Sequence, residues 1–187
     1  MNLFLGSNNS AKINEIKPTL SHFNLTTALD YINAPNPDET GNTLTKNALI
    51  KANQFSIFSN QLTLSDDSGL FIQALNGEPG VITARYASDH NEELNVKKVL
   101  HNLKDISNRN AVFRTVIAVM KPYQKPYLYR GELHGHILND NQIKDYTYND
   151  IFYIPSLNKT IAELTDIERM EYSHRCKAVK HWLKTLK

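Results

Sequence analysis

The sequence predicts an α/β protein built on a mixed β-sheet. Segments with the apolar spacing of helices alternate along the chain with short runs of the β-branched and aromatic residues that favour strands. Some strand-like runs are separated by a helix, as in βα units, whereas others follow one another directly, as in hairpins. The chain has 187 residues and no low-complexity linker or internal repeat, so we expect one domain over residues 1–187 with a substantial core.

Capping residues, proline and apolar periodicity set the bounds of the predicted elements. Asn9 or Ser10 can cap the first helix, which continues through Glu15 until Pro18 bends or ends it. A polar, proline-rich connection over residues 34–41 precedes the second helix. In chain order we predict a strand over residues 2–6, the first helix, a strand within 23–32, a helix over 43–59, a strand, a turn and a strand over 62–71, a helix over 91–103, β-rich segments over 111–120 and 127–138, and a last helix over 174–186.

Composition and charge exclude several classes of function. The 21 basic and 19 acidic residues give a net charge of +2, which is too balanced to favour nucleic acid. No segment is long and apolar enough to span a bilayer, and the amino terminus lacks the features of a secretory signal. The single cysteine, Cys176, rules out an internal disulfide and fits a reducing compartment. We therefore expect a cytoplasmic protein without a nucleic-acid or membrane partner.

Asp66 and Asp67 are adjacent carboxylates that follow the apolar, β-prone run of residues 62–64 and precede Ser68 and Gly69. Because adjacent side chains on a strand point to opposite faces, a position inside a strand would bury one of these charges, which is costly without a partner. Two interpretations are open: a polar turn, or a strand end where a metal, a water or a basic group compensates the pair. Both place the pair outside a strand interior.

Lys51 lies within the apolar stripe of the second helix. The stripe runs through Leu44, Ala48, Ala52 and Phe55, and at about 100° per residue Lys51 falls in its middle. Its ammonium either extends to the surface along its own stem or points inward to a shared anion. We favour the inward orientation, since unpaired buried lysines are rare.

Polar residues at the starts of the first and last helices are typical of anion sites. Ser173 can cap the last helix, and His174 and Arg175 follow it where free backbone amides and the helix dipole favour a negative charge. The alternative is an arginine that pairs with a structural carboxylate. Near the amino terminus, the loop from Ser7 to Lys12 has a composition that can cradle phosphate, a property shared by other polar βα loops.

Five groups of motifs occur in the order of one known family. They are Ser7-x-Asn9-x-x-Lys12-x-x-Glu15; Glu39-Thr40-Gly41 with Asn47-Ala48 and Lys51-Ala52; Asp66-Asp67-Ser68-Gly69-Leu70 with Ala74-Leu75-Asn76-Gly77, Pro79-Gly80 and Ala84-Arg85-Tyr86; Gly131-x-x-x-Gly135-x-Ile137; and Ile151-Phe152, Thr160, Ala162-Glu163-Leu164, Glu168 and Ser173-His174-Arg175. Over nearly the whole chain, this order resembles the inosine triphosphate pyrophosphatase family.

The resemblance implies a fold, an activity and a set of site residues. The fold would be ITPase-like α/β, with a central twisted mixed sheet flanked by helices in two lobes and a cleft between them. The activity would be the Mg²⁺-dependent hydrolysis of aberrant purine nucleoside triphosphates (ITP, dITP, XTP) to a nucleoside monophosphate and pyrophosphate, in a homodimer. Glu39 and one or both of Asp66 and Asp67 would hold the metal, and Asp67 would also orient or deprotonate the attacking water. The substrate would be bound by Ser7, Asn9, Lys12, Lys51, Ser68, Tyr146, Asn149, Arg169, His174 and Arg175.

The sequence departs from the family at residues 145–150. Where the family typically has Gly-Phe-Gly-Tyr/Trp-Asp-Pro, this chain has Asp145-Tyr146-Thr147-Tyr148-Asn149-Asp150. The loss of both glycines would strain any backbone of positive φ there. Tyr146 can replace a phenylalanine that stacks on the base, and Asn149 replaces an aspartate expected beside it, so that a side chain that also donates replaces one that only accepts. Two milder changes are Lys46 for glutamate and Arg169 for lysine.

Three hypotheses follow from this pattern. The first is an active house-cleaning purine pyrophosphatase, and the second is a related pyrophosphatase with a shifted base preference. The third, from outside the enzymes, is a nucleotide-binding or regulatory relative with little turnover. Retention of Glu39, Lys51, Asp66 and Asp67 argues against the third hypothesis, whereas the altered segment keeps it open.

Overall fold

The computed structural model describes residues 1–140, 143 and 145–186. Its strands are β1 (Asn2–Leu5), β2 (Asn24–Thr27), β3 (Thr63–Ile72), β4 (Pro79–Gly80), β5 (Asn110–Met120), β6 (Tyr127–Ile137), β7 (Phe152–Ile154) and β8 (Lys159–Thr160). Its α-helices are α1 (Ser10–Ile16), α2 (Leu44–Ser59), α3 (Glu92–Asn102), α4 (Tyr148–Ile151), α5 (Asp166–Tyr172) and α6 (His174–Leu183). Elements β4, β7, β8, α4 and α5 are absent from the sequence prediction, because such short segments do not establish a period.

The strands form an open, mixed sheet in the order β2-β1-β3-β5-β6-β7-β8, with β4 paired to β3. β1 lies parallel to β2 and to β3, in a register that pairs Leu5 with Thr27 and with Leu64. The β3–β4, β6–β7 and β7–β8 pairs are antiparallel. The predicted α/β class, with a mixed sheet flanked by helices, is confirmed.

The chain divides into two compact units. Unit 1 consists of Met1–Ser68, Thr115–Gly131 and Met170–Lys187, and unit 2 consists of Gly69–Arg114 and Glu132–Arg169. Strands β3, β5 and β6 contribute residues to both units.

In unit 1, different helices cover the two faces of the sheet. Leu3 and Leu5 of β1 pack on one face with residues of α1 and α6. Phe4, which points to the opposite face, packs against Phe55 of α2. Because side chains alternate along a strand, successive residues of β1 and β3 in this unit face opposite sides of the sheet. One side is covered by α1 and α6, and the other side is covered by α2.

β3 is one continuous strand of ten residues, so the predicted turn at residues 66–69 is wrong. Asp66 and Asp67 lie inside the strand, and each is 3% exposed. Asp66 shares a face with Leu64 and therefore points towards α1 and α6, whereas Asp67 points towards α2. The sequence allowed for a basic partner only at a strand end, whereas the fold brings cations from distant helices to both faces of the strand interior.

Side chains cap the helices whose starts the sequence predicts. Asn9, Thr43, Asn91 and Ser173 each accept a hydrogen bond from a backbone N–H in the first turn of α1, α2, α3 and α6, respectively. A 3₁₀ turn that contains Pro18 follows α1, as expected from the missing N–H of proline. In the part of the chain that the structure describes, no helix combines the length and apolarity needed to cross a bilayer.

Candidate active site

Asp66 is the centre of a cationic cluster on the face of the sheet that α1 and α6 cover. Its Oδ2 accepts hydrogen bonds from Arg175 Nε (3.2 Å) and Ser68 Oγ (3.1 Å) and lies 3.4 Å from Lys12 Nζ. Burial alone would raise the pKa of Asp66, but Lys12 and Arg175 outweigh it and hold the pKa well below its ordinary value. Asp66 is therefore a stable anion that links α1 and α6 to β3.

Asp67 points towards α2, where it meets one cation and one amide. Lys51 Nζ donates to its Oδ1 (3.0 Å), and Asn47 Nδ2 donates to its Oδ2 (3.1 Å). The same Nζ lies 2.6 Å from Glu39 Oε1, so Lys51 joins two carboxylates. Burial raises the pKa of Asp67 and outweighs the opposing effect of Lys51. A raised pKa makes this carboxylate a stronger base than an exposed aspartate.

Lys51 points inward, as its place in the apolar stripe of α2 predicts. The residue is 7% exposed. Burial by itself lowers the pKa of the ammonium, but the carboxylates of Asp67, Asp66 and Glu39 raise the pKa above its ordinary value. Lys51 therefore stays charged at neutral pH while it is enclosed by the protein.

Arg175 pairs with two carboxylates at the start of α6. Its Nη1 donates to Glu15 Oε2 (2.6 Å), and its Nε donates to Asp66. Glu15 also accepts a hydrogen bond from Ser173 Oγ, and this hydroxyl caps α6 by accepting from the backbone N–H of Arg175 (3.1 Å). The predicted cap is confirmed, and the arginine makes the carboxylate pairs that the sequence left as an alternative.

His174 is buried at the first position of α6, and its Nδ1 lies 2.5 Å from Thr115 Oγ1 of β5. Thr115 Oγ1 lies in turn 2.7 Å from Ser68 Oγ, which donates to Asp66. Burial and the neighbouring Arg175 hold the pKa of His174 well below its ordinary value, so the imidazole is neutral. A row of hydrogen bonds thus runs from Asp66 to His174.

The loop between β1 and α1 is held by its own polar side chains. Asn9 Oδ1 accepts a hydrogen bond from the backbone N–H of Lys12 (3.1 Å), and Ser7 Oγ accepts one from the backbone N–H of Asn9 (3.2 Å). The helix that starts here brings Lys12 to Asp66. Burial, together with neighbouring cations, lowers the pKa of Lys12.

Three of the predicted substrate residues, Tyr146, Asn149 and Arg169, belong to unit 2. Tyr146 Oη donates to Asp140 Oδ1 (3.1 Å), and Lys97 Nζ lies 4.9 Å from the centre of the Tyr146 ring. Asn149 is exposed in α4, and Arg169 Nη2 donates to a backbone carbonyl oxygen (3.1 Å). The remaining predicted residues belong to unit 1: Ser7, Asn9, Lys12, Glu39, Lys51, Asp66, Asp67, Ser68, His174 and Arg175.

Thr147, at one of the two positions where the family has glycine, has a φ of −110° and an extended backbone. The strain expected from a lost glycine is therefore absent at this residue. Thr147 Oγ1 caps α4 by accepting a hydrogen bond from the backbone N–H of Asp150 (3.2 Å). The same hydroxyl donates to the Asp150 carboxylate. The residue that replaces glycine and the residue that replaces proline are thus partners.

Glu39 and Asp67 are two carboxylates that could contribute ligands to a metal ion. They converge on one ammonium and supply the oxygen ligands that Mg²⁺ prefers. Asp66 points to the opposite face of β3, where Lys12 and Arg175 contact it. Among the residues that the structure describes, no three His, Cys, Asp or Glu side chains are grouped closely enough to hold a metal by themselves.

Glu15, Asn47 and Thr115 hold site residues in place, although the sequence assigns them no role. Asn47 lies four residues before Lys51 on the same stripe of α2, so a polar pair on an apolar face is the signal that the sequence carries. Glu15 lies three residues after Lys12 on α1. No signal marks Thr115, since threonine is common in strands.

Comparisons with known proteins agree with this architecture. Residues 3–185 match the family model described as the Ham1 family. The chain is 38% identical over 179 residues to a dITP/XTP pyrophosphatase of Staphylococcus epidermidis, covering 95% of this chain and 92% of that protein. It is 38% identical over 194 aligned positions to a dITP/XTP pyrophosphatase of Leuconostoc mesenteroides, covering 100% and 96%. A solved structure of a HAM1 protein from Coxiella burnetii is similar with a TM-score of 0.87 and 34% identity, covering 100% of this chain and 98% of that one.

Proposed function

Because this chain belongs to the Ham1 family, we propose that it hydrolyses noncanonical purine nucleoside triphosphates such as ITP, dITP and XTP to a nucleoside monophosphate and pyrophosphate. Relatives at 38% identity over almost the whole chain are named dITP/XTP pyrophosphatases, which supports this substrate class. The structural observation that carries the proposal is the buried Asp67 carboxylate, held by Lys51 and Asn47 beside Glu39. This arrangement combines a basic carboxylate with a fixed positive charge, the two groups needed to activate water next to a phosphate.

In the proposed reaction, water hydrolyses the phosphoanhydride bond between the α- and β-phosphates and releases a nucleoside monophosphate and pyrophosphate. Asp67 orients the attacking water and accepts its proton. Lys12 and Lys51 attract the highly anionic triphosphate, and the loop residues Ser7 and Asn9 bind its oxygens. The residues thus divide between proton transfer and the binding of phosphate.

Mg²⁺ is the cofactor in this proposal, and the carboxylates of Glu39 and Asp67 would hold it. When bound, it neutralises charge that develops on the phosphate oxygens. We assign Asp66 to a different task, the positioning of Lys12 and Arg175, because both cations contact its Oδ2. Chelation of divalent ions should therefore abolish turnover without disturbing the Asp66 cluster.

Base recognition is assigned, through the resemblance, to His174, Arg175, Tyr146 and Asn149. Ser68 and Arg169 are assigned to substrate binding without a more specific role. A second candidate function, a related pyrophosphatase with a shifted base preference, is supported by the segment around α4. There Asn149 replaces an acceptor with a group that also donates, next to a cap formed by Thr147 and Asp150.

The proposal also includes a cytoplasmic location and a homodimer. The location is supported by the single cysteine, Cys176, which rules out an internal disulfide and fits a reducing compartment. The homodimer rests on the resemblance alone, and analytical ultracentrifugation would test it.

Pyrophosphate release in the presence of Mg²⁺ tests the proposed function directly. The substrate panel is ITP, dITP, XTP, GTP, ATP, dUTP and dTTP, with the Asp67→Asn variant as the control for contaminating activity. We expect the purine analogues ITP, dITP and XTP to be hydrolysed fastest. Preference for a pyrimidine or an ordinary purine would instead support the shifted specificity. Thermal stabilisation by nucleotides without turnover of any of them would indicate a binding protein.

A further inference from the structure

Four polar side chains of unit 1 form a row of hydrogen bonds from Asp66 to His174. Ser68 Oγ lies 3.1 Å from Asp66 Oδ2, Thr115 Oγ1 lies 2.7 Å from Ser68 Oγ, and His174 Nδ1 lies 2.5 Å from Thr115 Oγ1. Asp66 is 3% exposed, Thr115 is 0% exposed and His174 is 6% exposed. Because Asp66, Thr115 and His174 are buried and Ser68 is half-buried, the hydrogen bonds of this row are strongly constrained.

The chemistry of the four groups sets the direction of every bond in the row. An ionised carboxylate only accepts, so the Ser68 hydroxyl must give its one hydrogen to Asp66. Ser68 can then only accept from Thr115. Thr115, having given its own hydrogen to Ser68, can only accept from His174. The Nδ1 atom of His174 must therefore carry a hydrogen.

The protonation state of His174 completes the assignment. The buried imidazole next to Arg175 is neutral, so it carries one hydrogen and not two. With that hydrogen on Nδ1, the other ring nitrogen, Nε2, is a hydrogen-bond acceptor. Removal of the Thr115 hydroxyl would release this constraint and allow the two neutral tautomers to exchange.

We propose that Thr115 is a positioning residue whose hydroxyl holds His174 in the tautomer with hydrogen on Nδ1 and an acceptor at Nε2. One consequence rests on the proposed function, in which His174 faces the purine base. An acceptor at Nε2 pairs with a ring N–H, which 6-oxopurines carry at N1 and adenine lacks. His174 then does not donate to the keto oxygen, and that contact falls to a donor such as Arg175.

Nuclear magnetic resonance of the ring nitrogens tests the tautomer in the ligand-free protein. Two-bond ¹H–¹⁵N spectra above neutral pH distinguish a protonated from an unprotonated ring nitrogen, and a His174→Gln variant assigns the signals among the seven histidines. We expect a protonated Nδ1 and an unprotonated Nε2. A protonated Nε2 with an unprotonated Nδ1, or the averaged shifts of exchanging tautomers, would overturn the proposal. Because this measurement uses the wild-type protein, it does not depend on the folding of a Thr115 variant.

Two variants of Thr115 then separate its hydroxyl from its packing. Thr115→Val keeps the shape and loses the hydroxyl, whereas Thr115→Ser keeps the hydroxyl. We expect the Nδ1–H pattern to be lost in the valine variant and retained in the serine variant. If valine leaves the His174 spectrum unchanged, Thr115 is only a structural residue and the proposal is wrong.

Turnover distinguishes this inference from the proposed function. For ITP, kcat/KM is expected to fall on the order of 10-fold in Thr115→Val and to recover in Thr115→Ser, because a polar group of the base loses its matched partner. A wild-type protein with the expected tautomer and no pyrophosphate release would contradict the proposed function alone. A wild-type protein with turnover and the opposite tautomer would contradict the inference alone.

Discussion

Asp66 and Asp67 are neighbours in β3, yet they point to opposite faces of the sheet and their pKa values shift in opposite directions. The Asp66 carboxylate is contacted by Lys12 and Arg175, and these two cations more than offset its burial. The only cation bonded to Asp67 among the described residues is Lys51, which Glu39 shares, so its burial prevails. We infer that one carboxylate stabilises the fold and the other is available for chemistry.

The first prediction compares Asp66→Asn with Asp67→Asn. In Asp66→Asn, Lys12 and Arg175 lose the buried carboxylate with which both form ion pairs. We therefore expect the free energy of unfolding to fall by about 3–5 kcal/mol. Folding already disfavours the ionised form of Asp67, so Asp67→Asn should change stability far less while abolishing turnover. Urea unfolding with a chelator present measures the free energy of unfolding of both variants, and pyrophosphate release measures their turnover. Equal losses of stability in the two variants would contradict the inference that Asp66 stabilises the fold and Asp67 does not.

The second prediction concerns Asn47, which donates to Asp67 and accepts a hydrogen bond from the backbone N–H of Gly41 (2.7 Å). Asn47→Ala should reduce stability by about 1–3 kcal/mol, because the buried Asp67 carboxylate and the half-buried N–H of Gly41 each lose a partner. It should also lower kcat by about 10- to 100-fold, because Asp67 is no longer held in one orientation.

Asn95 offers a matched control for Asn47. It is also a fully buried asparagine, and its amide bonds the backbone of Ala84, Ala87 and Ser88 within unit 2. We expect Asn95→Ala to cost a similar amount of stability and to leave kcat close to that of the wild type. A similar loss of kcat in both variants would mean that Asn47 acts only through stability.

The third prediction concerns the close approach of β6 and α6 at Gly131. A Cβ on this residue would lie 2.0 Å from the backbone oxygen of His174 and 2.5 Å from the backbone nitrogen of Ala178, so Gly131→Ala must displace the start of α6. We expect a loss of about 1–3 kcal/mol in stability and a shift in the fluorescence of Trp182, the one tryptophan. Gly135→Ala, which clashes with the Tyr153 backbone instead, should lose stability without that shift.

The fourth prediction is a dependence of stability on pH that arises from His174. Its pKa lies below the ordinary value of 6.5 in the folded protein, so below pH 6.5 the unfolded chain binds more protons than the folded one. The contribution of a neutral His174 to stability is therefore complete above pH 6.5 and is lost as the pH falls. His174→Gln should flatten this slope in urea titrations, whereas the exposed His22→Gln should leave it as in the wild type.

The fifth prediction tests whether Asn149 contributes to the choice of base. Asn149→Asp restores the acceptor that the family has at this position, and we expect the ratio of kcat/KM between ITP and GTP to change about tenfold. Asn110→Asp adds the same charge at another exposed position of unit 2 and should leave the ratio unchanged. Identical ratios in both variants and the wild type would remove Asn149 from the base site.

Local signals explain which parts of the fold were predictable. Helix starts follow from capping side chains such as Thr43 and Ser173, which act within one turn of their own position. The inward direction of Lys51 follows from the 3.6-residue period of its own helix. The short elements around Thr147 were not predictable, because a four-residue helix gives no period. Its cap also depends on two residues that both differ from the family, Thr147 in place of glycine and Asp150 in place of proline.

The sequence by itself determined the family, the α/β class and the identity of the charged residues, since each depends on motif order or on local periodicity. Only the tertiary structure decided where each aspartate of the pair points and which cations contact it. A buried charge is tolerated when a cation reaches it, and one of the two cations at Asp66 is that of Arg175, 109 residues further along the chain. The alternation of side chains then assigns Lys12 and Arg175 to one carboxylate and Lys51 to the other, because α1 and α6 cover one face of β3 and α2 covers the opposite face.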